Sequence, residues 1–207
     1  MVIRPEKGLL MTPSSPRSPS TEELEQIRSM NRLFLAHLQE RLRRREDPLG
    51  LPEEAREGLR DAAPELLDCM AEFPRAVFAL SLDEGAGVMD LGALDTARFA
   101  LDLTVLHCAW HFSRRDVCQA RFLLGLDSRT IQRLRALKLA ELASAARRPG
   151  LLGCAFAGNA WFWLELLSMR HAEDRRRLAL IALQPGAPGA FARASAARPE
   201  RVVRGRE

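Results

Sequence analysis

Residues 124–139 read LGLDSRTIQRLRALKL, and residues 49–64 read LGLPEEAREGLRDAAP. Both open on a Leu-Gly-Leu step, continue as a short amphipathic run, break, and enter a second run rich in Leu and Ala. Shifted by 75 positions, residues 49–74 lie over 124–149 without a gap. Leu59-Arg60 falls on Leu134-Arg135, Leu67 on Leu142, Ala71 on Ala146 and Pro74 on Pro149. The matched Gly and Pro carry more weight than matched Leu and Ala, because each has a particular backbone role. A period of this length suits one duplicated unit better than a solenoid, whose repeats are shorter and more numerous. A capped helix, a three-residue break and a second helix make the outline of a helix-turn-helix.

Working outward, Ser20 and Glu23 have the spacing of a capping box. The following TEELEQIRSMNRLFLAHLQERLRRRE is one long helix with Leu24, Ile27, Met30, Phe34, Leu38 and Leu42 on its apolar stripe. Pro48 and Gly50 end it, and further helices are expected over Pro52 to Leu59 and Pro64 to Phe73. After the glycines at 85, 87 and 92 the pattern restarts. Asp95 or Thr96 caps a helix with Phe99, Leu103, Leu106 and Trp110 on one face. Helices are then expected over Asp116 to Leu124, from a cap at Asp127 or Ser128 to Ala136, and over Ala140 to Arg147. Gly158-Asn159 makes a turn into a further apolar stretch, and AEDRRRLALIAL closes the series.

The expected fold class is therefore all-α, as two similar multi-helix units each with a helix-turn-helix-like element. Residues 1–19 are expected to be disordered, 20–82 form the first unit, 83–94 a linker, 95–183 the second unit and 184–207 a disordered basic tail. No β-branched alternating run of strand length occurs. Apolar stretches are interrupted before the ~18 residues of a membrane span, and the start lacks a secretory apolar core, so a cytoplasmic protein is expected.

Net charge is +4, too mild to name a partner by itself. Its distribution says more. The second helix-turn-helix stretch presents Arg129, Arg133, Arg135, Lys138, Arg147 and Arg148 against Asp127 and Glu141. The matching stretch of the first unit presents Glu53, Glu54, Glu57, Asp61, Glu65, Asp68 and Glu72 against Arg56 and Arg60. Phosphate binding gains from each cation and is opposed by each carboxylate, so those six basic residues of the second unit are the DNA-contacting candidates. The acidic face suits packing or a basic protein surface. The helix after Lys138 opens Leu-Ala-Glu-Leu-Ala-Ser, which is poor material for reading bases, so phosphate contacts or a partner protein must carry affinity and specificity. The tail after residue 184 holds Arg193, Arg198, Arg201, Arg204 and Arg206, read as solvated or as a non-specific hold on phosphates.

Residues 102–143, DLTVLHCAWHFSRRDVCQARFLLGLDSRTIQRLRALKLAELA, resemble the FlhD family of flagellar transcriptional regulators. The likeness rests on Asp102, Asp116, Ala120, Phe122, Leu124-Gly125-Leu126, Leu134, Leu137, Leu139 and Ala143. The first unit is similar through IRSMNRLFLAHLQERL and LGLPEEAREGL but lacks the A-x-F element. The resemblance implies a small helical dimer that regulates transcription and binds promoters with a zinc-containing partner, FlhC. Two copies in one chain depart from that pattern and set an internal pseudo-dimer beside the family's homodimer. A second class of function is an adaptor that keeps the fold, has lost DNA binding and docks proteins of a flagellar or type III secretion system.

His107 and His111 have a spacing that suits a metal pair, but no HExxH accompanies them, and they are read as packed at a helix interface. The four cysteines, with no CxxC, are read as small buried residues. Trp161, Phe162 and Trp163 mark core packing or a partner interface, to which Glu53, Glu54 and Glu57 also belong. No nucleophile elbow, phosphate loop or paired catalytic carboxylates occur, so no enzyme activity, metal or cofactor is expected.

Overall fold

The computed structural model describes residues 17–46, 48–82 and 95–182. Helix α1 (Thr21–Arg43) begins with the expected box: Ser20 Oγ accepts from the Glu23 N–H at 3.2 Å, and the Glu23 carboxylate accepts from the Ser20 N–H at 2.8 Å. Ile27, Met30, Phe34, Leu38 and Leu42 are buried as the stripe requires, while Leu24, in its first turn, is 38% exposed. The chain reverses through Leu49 and Gly50, both at positive φ. Helices α2 (Glu53–Arg60) and α3 (Pro64–Ala71) follow, with Pro64 in the first turn of α3.

Both helices rest on α1, and two buried amides hold them there. Gln39 Nε2 donates to the carbonyls of Leu59, Arg60 and Ala62 at 3.0, 3.3 and 2.8 Å. Asn31 Nδ2 donates to those of Ala71, Phe73 and Arg75 at 3.3, 3.2 and 2.8 Å, and its Oδ1 accepts from the Val77 N–H at 3.0 Å. A helix end leaves carbonyls with no partner of its own. Here Asn31 and Gln39 of α1 supply the partners.

After strand β1 (Phe78–Leu80) come α4 (Thr96–Arg115), α5 (Val117–Leu124), α6 (Ser128–Ala136), α7 (Leu139–Ala146), strand β2 (Leu152–Cys154), α8 (Ala160–Ser168) and α9 (Ala172–Ala182). Helices α1, α2 and α3 start at 21, 53 and 64, and α4, α6 and α7 start at 96, 128 and 139, each 75 residues later. Burial keeps the same step. Positions 27, 30, 31, 34 and 38 of α1 are buried, as are 102, 105, 106, 109 and 113 of α4. Leu67, Met70 and Ala71 of α3 correspond to Leu142, Ala145 and Ala146 of α7, all buried. Gly50 (φ 83°) and Gly125 (φ 65°) turn the chain at matching places in the left-handed region that glycine tolerates. Helix α5 has no helical counterpart among the described residues of the first half.

The two halves meet along α1 and α4, through the short sheet, and where α8 lies against α2 and α3. Strands β1 and β2 pair antiparallel, with Phe78 opposite Cys154, Ala79 opposite Gly153 and Leu80 opposite Leu152. Each half also bonds to the other beside its glycine turn, at Leu49 in one and at the end of α5 in the other. The Cys154 N–H donates to the Leu49 carbonyl and the Ala76 N–H to the Leu123 carbonyl, both at 2.7 Å. Sequence periodicity anticipated no strand. Three residues are too few to show alternation, and the pairing exists only because the halves bring them together.

Other expectations are corrected. The buried face of α4 is Leu101, Asp102, Val105, Leu106, Ala109, Phe112 and Ser113; of the anticipated stripe only Leu106 is fully buried, with Phe99, Leu103 and Trp110 packed at its margin. Asp102 and Ser113 on the core side hide that face from a hydrophobicity count. Cys154 is buried and Cys118 is exposed. Residues 17–19 precede α1, and the Arg17 carbonyl accepts from Gln119 Nε2 at 2.6 Å. The rest of the start expected to be disordered, the linker 83–94 and the tail 184–207 lie outside the described residues.

Candidate nucleic-acid interface

Helices α5, α6 and α7 are positioned by caps that the sequence writes plainly. Asp116 accepts from the Cys118 and Gln119 N–H groups at the start of α5, and Asp127 accepts from the Thr130 N–H at the start of α6. The Lys138 N–H donates to the Glu141 carboxylate at 2.7 Å, opening α7. Arg121 of α5 bonds Ser128 Oγ, tying one helix to the next. Both α6 and α7 lie against α4, and Trp110 Nε1 donates to the Leu137 carbonyl between them at 2.9 Å.

This scaffold separates the six basic candidates. Arg129, Arg135, Lys138, Arg147 and Arg148 are exposed. Arg133 is half-buried and donates to the Leu82 carbonyl at 3.0 Å, so its guanidinium holds the chain leaving β1. Arg147 lies over the Phe99 ring at 5.4 Å. Arg129 and Arg133 are one turn apart on one flank of α6, whereas Arg135 follows Arg133 by two residues and is turned about 160° from it. The arginines of α6 thus fail to form a single face. Helix α7 exposes Leu139 (61% of its surface), Ala140, Glu141 and Ser144.

The matching side of the first half is built differently. Glu53, Glu54 and Glu57 are exposed on α2. Helix α8 lies along α2 and touches α3. Gly58 permits this approach, since a Cβ there would stand 3.1 Å from Leu167 Cδ1. Phe73 meets the Phe162 ring edge-on at 5.4 Å. The counterparts of Gly58 and Phe73, 75 residues on, are Arg133 and Arg148, which offer neither the gap nor the apolar contact. The aromatic triplet divides accordingly. Phe162 and Trp163 are fully buried, which removes them from any partner surface, while Trp161 is 45% exposed. Leu164, unremarked in the sequence, is equally exposed beside it. Its signal was the helical spacing from Trp161, three residues before.

Where α1 meets α4, Asp102 is 3% exposed and its carboxylate lies 3.4 Å from Arg98 Nε. Burial raises its pKa from 3.8 to about 6, against the pull of Arg98 and then Arg41. His37 on α1 is held below its ordinary pKa by burial first and by Arg41 next. Burial pushes the Cys108 thiol up to about 11, which leaves it a poor nucleophile. His107 and His111 are exposed rather than packed at an interface, with His107 stacked on Trp110 at 6.0 Å. Among the described residues no three His, Cys, Asp or Glu side chains gather to hold a metal ion, and no helix is long and apolar enough to cross a membrane.

In comparisons with known proteins, no family model, curated protein or solved structure matches the chain.

Proposed function

We propose that the chain is an FlhD-like transcriptional regulator made of two copies of one helical unit, and that α6, its following turn and the end of α7 hold the phosphate backbone of promoter DNA. One observation carries the reading: Arg129, Lys138 and Arg148 remain exposed around α6 and α7, while α8 occupies the corresponding side of the acidic first copy. The 75-residue step in helix starts and the β1–β2 pairing support a local two-fold arrangement. In that arrangement the family's homodimer is replaced by a pairing inside one chain. Arg133, committed to the Leu82 carbonyl, contributes to position rather than to phosphate contact.

The exposed start of α7 offers bases a carboxylate and a hydroxyl but no Arg, Asn or Gln, the side chains that discriminate best. Promoter choice therefore falls to a partner, of which an FlhC-like protein is the type the resemblance suggests. Such a regulator works in the cytoplasm. Three phosphate contacts give log affinity a salt slope of about −2.7. Fluorescence anisotropy of promoter-length duplex DNA between low and moderate salt measures it. Replacing Arg129, Lys138 and Arg148 by Ala removes most of that slope; an unchanged slope refutes the assignment.

The adaptor reading draws on a different observation, the exposed Trp161 and Leu164 on α8 and Leu139 at the head of α7. Absence of DNA binding at low salt, both alone and with an FlhC-like partner, would favour docking to flagellar or type III secretion proteins.

A further inference from the structure

The geometry points to the exposed face shared by α2 and α8 as a docking site for this chain's own arginine-rich segment, residues 191–207. The face follows from helical spacing. Gly58 touches Leu167, so the flank of α2 that carries Gly58 faces α8. Glu54 stands one turn earlier on that flank, with Glu53 and Glu57 beside it toward solvent. On α8, Leu164 shares the flank of Leu167, three residues on, and Trp161 lies one turn before Leu164. Leu164 and Trp161 are each 45% exposed. An apolar strip thus runs beside a carboxylate row that Arg56 and Arg60 flank, and the close approach at Gly58 holds the two helices together.

The occupant must bring cations spaced among apolar groups. Nucleic acid is opposed by Glu53, Glu54 and Glu57. Residues 191–207, FARASAARPERVVRGRE, supply five arginines against two glutamates, together with Phe191, Val202 and Val203. They follow α9, which packs on α8. The stretch from residue 183 to Arg198 spans up to about 50 Å when extended, so reach does not limit the contact. A tether of this length gives an effective concentration on the order of 1 mM. Any intrinsic dissociation constant below about 1 mM then keeps most molecules docked. The inference is independent of whether α6 and α7 bind DNA.

Thermolysin cleavage of the full chain at Phe191, Val202 and Val203, followed by mass spectrometry, tests it. At low salt these bonds should be cut at least about twofold more slowly than in a Glu53→Lys, Glu54→Lys, Glu57→Lys variant, since most molecules are docked. At 1 M salt, where the Debye length is about 3 Å, the two proteins should converge. Replacing Arg198, Arg201 and Arg204 by Ser leaves the helices untouched and should release the same bonds. Equal low-salt cleavage in the wild type and the serine variant overturns the proposal. So does protection that grows with protein concentration, which would place a second copy's tail on this face.

Discussion

Replacing Asp102 by Asn should stabilise the protein at neutral and alkaline pH and do almost nothing in acid. Asp102 is 3% exposed on α4, with Arg98 at 3.4 Å as its ion-pair partner and Arg41 of α1 acting from further off. Burial raises the carboxyl from 3.8 to about 6, so the folded protein keeps this proton over a pH range in which the unfolded chain has lost it. Stability therefore falls as pH rises from about 4 to about 6, and the full cost stands above that. Two pH units correspond to about 3 kcal/mol. The raised value already contains the pull of Arg98, so Asn, which resembles the protonated carboxyl, forfeits nothing further. The gain near pH 8 is about 3 kcal/mol, falling away toward pH 4. Urea unfolding of both proteins, followed by tryptophan fluorescence across that range, measures the difference while other titrations cancel. A difference that stays constant with pH, or a variant less stable at pH 8, would refute the reasoning.

Asn31→Ala should cost roughly 3 kcal/mol or more, because it strands the Val77 N–H and the carbonyls of Ala71, Phe73 and Arg75; a loss below about 1 kcal/mol in urea unfolding would mean that water replaces the amide. Gly58→Arg, which copies position 133 of the second half, should drive α8 from α2 and red-shift emission from the buried Trp163, since its Cβ alone would stand 3.1 Å from Leu167; an unaltered emission maximum would contradict the close approach. Glu23 is held at about 2, chiefly by Arg17, below its ordinary 4.5. Its folded pKa is depressed, so its contribution is present above about pH 4.5 and lost as pH falls toward 2. Glu23→Gln should flatten that part of the acid unfolding profile followed by circular dichroism, and a profile of unchanged steepness would count against the capping ion pair.

Helix existence was legible because it depends on neighbours in sequence. Ser20 with Glu23, Asp95, Asp127 and Gly125 act within a few residues, and each stands where its spacing placed it. The 75-residue step was equally legible, since Gly50 and Gly125 mark matching turns in the chain itself. The candidate surface was less so. Composition grouped six cations together, but the helical turn separates Arg135 from Arg129, and the chain leaving β1 engages Arg133. Trp161, Phe162 and Trp163 were one cluster in sequence, and only packing on α2 and α3 could say which of them face water.

By itself, then, the sequence determined where helices begin, where the chain turns and how charge divides between the halves, because these follow from local hydrogen bonding, backbone freedom and formal charge. The tertiary structure alone decided which side of α4 is core, that Phe78–Leu80 and Leu152–Cys154 pair as strands, and that α8 chooses the half with Gly58 and Phe73. Those outcomes depend on surfaces that meet only after the chain has closed, where a single absent Cβ or an exposed guanidinium settles what can approach.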